Sequence, residues 1–120
     1  LNVRKKGADH VILPGGKIEL GETPLEAAIR EAREETRLVL DPDDLKHLGT
    51  FDAPAANHDA DGIRCVVYVC NWREIWPEPV PDSEIVEYEW TDLDHCYDDV
   101  RQAPLLCDRV IPALQQQGLL

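Results

Sequence analysis

Methionine is missing from this chain, long apolar runs are missing too, and cations are few. No stretch reaches the roughly 18 apolar residues of a membrane span, and no basic segment followed by an apolar one opens the chain. Neither a transmembrane helix nor a signal peptide is therefore predicted. Internal repeats and low-complexity tracts are also absent. Lys and Arg number 12 against 24 Asp and Glu, a formal net charge of -12. Such a surface repels DNA and RNA polymers, so any phosphate ligand has to arrive with a metal counter-charge. The 120 residues suffice for one domain, residues 1–120, that buries about two-thirds of its unfolded surface.

Cysteine and histidine offer little. Cys65 and Cys70 lie five residues apart in one apolar stretch, which puts them on opposite faces of a strand, unable to share an ion. Cys96 and Cys107 have no ligand-like spacing. All four are expected as small core hydrophobes in a reducing, cytoplasmic compartment. His10, His47, His58 and His95 are dispersed and read as surface or edge residues, with His10 closest to the Gly15-Gly16 turn.

What the chain does have is a helix with stacked carboxylates. Thr23, Pro24 and Glu26 form a helix start, with Thr as N-cap, Pro at the first position and Glu completing a capping box. Leu25, Ala28, Ile29 and Ala32 follow as a core-facing stripe, and the helix is predicted over 24–36. Glu31, Glu34 and Glu35 fan across an arc that begins at the stripe's edge, which makes Glu35 the most buried of the three. Like charges at i, i+3 and i+4 destabilise a helix by about 0.2–0.5 kcal/mol per pair, a cost that an external cation would remove. Arg30 lies one turn from both Glu26 and Glu34, placed to hold a carboxylate by a charged hydrogen bond.

The stretch Gly16 to Leu38 resembles the signature of the Nudix hydrolase family, with Gly16, Glu22, Arg30, Glu31, Glu34, Glu35 and Leu38 at the matching positions. Leu13-Pro14-Gly15-Gly16-Lys17 extends the likeness upstream. Ala32 stands where a bulky aliphatic is usual, and Arg37 where Gly is usual. A non-glycine residue in left-handed conformation at a helix end costs roughly 1–2 kcal/mol, so Arg37 is expected either at positive φ or in a helix that runs on. The resemblance implies an α/β fold, an α/β/α sandwich with a mixed sheet between helices. It also implies a Mg2+-dependent pyrophosphohydrolase, with Mn2+ as an alternative ion. Glu34 and Glu35 would carry the metal, Glu31 would be ligand or base, and the Gly15-Gly16 backbone, Gly16 in particular, would add a carbonyl. Glu22 and Arg30 would orient these carboxylates from behind. Glu84 and Glu87 are weaker candidates for a base.

The implied substrate is a nucleoside diphosphate linked to another moiety. A (d)NTP or oxidised nucleotide and a catalytically silent nucleotide-binding regulatory module are the alternatives. A small nucleotide is the expected partner, with no nucleic-acid polymer and no membrane, and a homodimer is left open. Family members place a further strand before the one ending near Lys5, so this chain is expected to lack a natural N-terminal segment.

Elsewhere, strands are predicted over 1–5, 11–13, 45–51, 63–72 and 85–91, a loop over 54–62 containing Asn57, Asp59, Asp61 and Gly62, and a closing helix over 105–117. The segment 63–72 is apolar at nearly every position and reads as a central strand covered on both faces.

Overall fold

A computed structural model describes residues 1–56 and 62–120. The expected loop over 54–62 thus falls largely outside the described residues, as does His58. Among the described residues four strands form: β1 (Asn2–Lys5), β2 (Leu45–Ala53), β3 (Ile63–Cys70) and β4 (Ile85–Glu89). Helix α1 spans Pro24–Thr36 and a short α2 spans Ile111–Gln116, with 3-10 turns at Pro42–Asp44 and Leu93–Asp98. This is an α/β arrangement. Its paired strands are antiparallel, β1 with β4 and β2 with β3. The parallel element is a bridge from Val11 to Gln102.

The expected strand at 11–13 is present only as bridges. Val11 N–H donates to the Arg101 carbonyl, while Val3 and Ile12 exchange both of their backbone hydrogen bonds. This pins the chain to β1, where Val3 is fully buried, and delivers Gly15 to the start of the site. The main core lies between the β2–β3 hairpin and the C-terminal helical segment, with Leu48, Val67, Leu106, Val110 and Ile111 at its centre. Helix α1 packs against β3 and the 3-10 turn at Pro42–Asp44.

Three expectations are corrected. The strand at 63–72 stops at Cys70 and, among the described residues, pairs only with β2. Only Val67 in it is buried, so continuous apolarity here marks no central strand. The closing helix begins with a wide π turn over Leu105–Val110, in which Ile111 N–H reaches the Leu106 carbonyl. Pro112 follows directly, and since it has no N–H and crowds the carbonyl one turn back, the wider turn accommodates it. Finally, Cys96 and Cys107 are joined in a buried disulfide, Cα to Cα 5.8 Å, that ties the second 3-10 turn to the π turn. Pairing needs proximity in space, which spacing along the chain does not reveal. The cysteine argument for a reducing compartment is thereby removed. Among the described residues, no helix is long and apolar enough to cross a membrane.

Candidate active site

Helix α1 starts as its sequence dictates. Thr23 Oγ1 accepts the Glu26 N–H at 3.1 Å, and Glu26 Oε1 accepts the Thr23 N–H at 2.9 Å. Glu26 is thereby committed to the cap and is not the partner of Arg30 that helical spacing suggests. The helix ends at Arg37, which adopts φ 62 and donates its N–H to the Arg33 carbonyl at 2.9 Å. That is the first of the two outcomes expected for a residue standing where glycine is usual.

The carboxylates differ in exposure as their helical positions require. Glu35 is 5% exposed, the side chain of Glu31 16% and that of Glu34 52%. Gly15 N–H donates to Glu35 Oε1 at 2.7 Å. Burial pushes the Glu35 carboxyl up to about 7, and the charges of Glu31 and Glu34 act in the same direction. Gly15 N–H and the Lys5 ammonium oppose the rise.

Arg30 organises the outer part of the site. Its Nε and one terminal nitrogen form a fork on Glu22, at 2.7 and 3.0 Å. The other terminal nitrogen donates to Glu31 Oε1 at 2.7 Å and to Glu34 Oε2 at 3.2 Å, and the Lys17 carbonyl accepts from the first at 2.9 Å. The fork holds the Glu22 carboxyl down at about 2, helped by the Glu19 N–H, and these carboxylates raise the guanidinium further. A bidentate pair of this kind fixes orientation as well as charge. Glu22, which lies in the loop before α1, is thus tied to the helix across the Arg30 side chain.

Gly16 is pressed against Glu31. A Cβ built at Gly16 would stand 2.6 Å from both Cδ and Oε1 of Glu31, so only glycine leaves that carboxylate its place. Glu87, in contrast, is engaged by Arg4 on the β1–β4 pair at 2.6 Å. Glu84 offers its carbonyl to Lys6 N–H at 2.9 Å.

The structure therefore gathers Gly16, Glu22, Arg30, Glu31 and Glu34 into one network and places Glu35 beneath it. All side-chain donors here are hard carboxylate oxygens, the chemistry that Mg2+ and Mn2+ prefer. In the chemistry of its donors, then, the set of Glu31, Glu34 and Glu35 fits such an ion. As arranged, however, no three His, Cys, Asp or Glu side chains among the described residues converge closely enough to hold one. Arg30 stands between Glu31 and Glu34 as their counter-charge. Two contacts escaped the sequence reading. Gly15 acts here through its N–H, which the Gly-Gly turn could have hinted at, and Asp82 N–H donates to the Glu35 carbonyl at 3.1 Å, for which no sequence signal exists.

Comparison with known proteins identifies the family. The NUDIX domain model matches residues 2–108. The chain is also 29% identical over 94 residues to a Bacillus subtilis (strain 168) protein described as "Uncharacterized Nudix hydrolase YvcI". That match spans 78% of this chain and 56% of the relative, so the chain covers little more than half of the relative's length. With a family match running through all of β1, α1 and the sheet strands, this chain belongs to the NUDIX domain family.

Proposed function

We propose that this chain is a pyrophosphohydrolase that uses Mg2+ or Mn2+ to cleave a nucleoside diphosphate linked to another moiety. The supporting observation is the grouping on α1: Glu35 buried under Gly15 N–H, with Glu31 and Glu34 on its outer side sharing Arg30. Glu31, Glu34 and Glu35 would hold the ion, with the Gly16 backbone beside them. When bound, a divalent ion neutralises phosphate oxygens that gain charge and lowers the pKa of a coordinated water.

The chain's own residues do the rest. Arg30, anchored by its fork on Glu22, would orient Glu31 and Glu34 through its other terminal nitrogen and would add a positive charge beside the diphosphate. Glu22 keeps the loop before α1 registered on the helix. The excess of acids disfavours polymeric nucleic acid and suits a small, metal-loaded nucleotide. A cytoplasmic location is part of this proposal, resting on the small nucleotide substrate and not on the cysteines. A single layer, the mixed sheet of an α/β/α sandwich, would join the two antiparallel pairs.

The test is a substrate panel with Mg2+, scoring released nucleoside monophosphate, phosphate and pyrophosphate. Cleavage of a diphosphate-linked nucleoside is expected. Pyrophosphate release from (d)NTPs would redirect the substrate assignment, and metal-dependent nucleotide binding without turnover would replace the enzyme by a silent regulatory module.

A further inference from the structure

The C-terminal end of α1 is held by a segment from far along the chain. Helix ends leave carbonyls without intrahelical partners. Here Val80 N–H donates to the Thr36 carbonyl at 2.9 Å and Asp82 N–H to the Glu35 carbonyl at 3.1 Å. Asp82 also uses both side-chain oxygens: Oδ1 accepts the Ser83 N–H at 2.7 Å and Oδ2 accepts Arg37 Nε at 2.9 Å. Among the described residues, Arg37 at φ 62 and Ser83 at φ 57 are the two non-glycine residues with positive φ. Such conformations persist where the surroundings impose them, and they gather at functional sites. Both contact the same carboxylate.

The two contacts are unequal. Arg37 and Asp82 are largely exposed, and exposed ion pairs contribute little. The Ser83 contact is local and fixes the turn that sends the chain back to the sheet, where Lys6 N–H meets the Glu84 carbonyl and β4 begins. The segment from Val80 to Glu84 is therefore anchored to the sheet at one end and to the main chain of Glu35 at the other. Glu35 is gripped twice, through its side chain by Gly15 and through its carbonyl by Asp82.

We infer that Asp82 is a positioning residue of the active site: by fixing the Ser83 turn, its carboxylate holds its own N–H on the Glu35 carbonyl and so sets where the Glu35 side chain meets Gly15. This rests on the assignment of Glu35 to the site. It gives the chain between β3 and β4 a part in the site that the α1 motif does not contain.

The test compares Asp82→Ala, Asp82→Asn and Arg37→Gly in the whole chain. Gly15 amide exchange is followed by NMR without metal, Mn2+ binding by calorimetry, and kcat and KM on the best panel substrate. In Asp82→Ala, Gly15 exchange should quicken about tenfold, Mn2+ affinity and kcat should each fall about tenfold, and KM should stay within about twofold, the scale on which supporting contacts act. Asp82→Asn keeps an oxygen for Ser83 N–H and should recover most of each loss. Arg37→Gly should match wild type, since glycine adopts φ 62 freely. If Asp82→Ala does not fold, Asp82→Ala/Ser83→Gly supplies the turn without the carboxylate and should restore Gly15 protection. Unchanged Gly15 exchange and Mn2+ affinity in Asp82→Ala would overturn the inference, as would equal losses in Arg37→Gly or no recovery in Asp82→Asn. A wild-type protein that cleaves nothing in the panel, yet shows the Gly15 response, would remove the hydrolase proposal and leave the positioning role intact.

Discussion

Gly15 N–H reaches Glu35 Oε1 at 2.7 Å, so the loop before α1 and the last turn of α1 are joined at the most buried carboxylate of the site. The loop thus does more than connect β1 to the helix: it supplies a backbone donor to the Glu35 carboxylate itself. Loss of the negative charge should be felt in turnover far more than in folding. Glu35→Gln and Glu34→Gln should each lower kcat by at least about 10²-fold, the scale of a lost electrostatic contribution. Nucleotide binding without metal should change little. Wild-type rates in either variant would remove these two residues from the chemistry.

Gly16→Ala tests the close approach to Glu31. The added Cβ would meet the far end of a flexible side chain rather than backbone, so Glu31 can swing aside and the fold survives. Stability should stay within about 1 kcal/mol, the range of most substitutions without a core defect, while kcat drops by about tenfold through misplacement of Glu31. A urea melt and a rate measurement on the same sample decide it. Full activity would mean that Glu31 acts from another position.

The disulfide gives a separate stability prediction. Cys96 and Cys107 close a short loop that carries Arg101 and Gln102, on which Val11 rests. Replacing both by Ala should cost about 2–4 kcal/mol. A dithiol reductant should destabilise the wild type by a similar amount and leave the double variant untouched. A wild type with the same urea midpoint in both states would show that the bond carries no stability.

Legibility in the sequence followed the range of the interactions. The bounds of helix α1 were readable because Thr23, Pro24 and Glu26 act on their own neighbours, and the burial order of its carboxylates followed from angle alone. Of the expected stripe Leu25, Ala28, Ile29 and Ala32, however, only Ala32 is buried, and Ala27 is buried in its place. Arg30 was half readable: helical spacing pointed to Glu34, but the main partner, Glu22, lies in a loop that folds back on the helix. Strand β3 misled because uniform apolarity is compatible with a strand paired on one side only. The Cys96–Cys107 bond and the Asp82 contact depend on the route of the chain through space, which no local pattern encodes.

The last prediction joins charge to stability at Glu35. Its carboxyl is pushed up to about 7 in the folded protein, from an ordinary value of 4.5, chiefly by burial. Between these values the folded state holds a proton that the unfolded chain has released, so stability falls as pH rises through this window. Below about pH 4.5 both states are protonated and the penalty vanishes; above about pH 7 it is present in full. In EDTA-treated buffer, Glu35→Gln should therefore be more stable than wild type at pH 8, by about 1 kcal/mol. That is well short of the full linkage value, because water reaches part of the site. The advantage should shrink steadily toward pH 5. Adding Mg2+ at pH 8 should raise the wild-type melting temperature by mass action and raise that of the variant less. Should the variant be the less stable protein at pH 8, and should Mg2+ shift both equally, Glu35 would be a structural carboxylate and the metal assignment on α1 would fall with it.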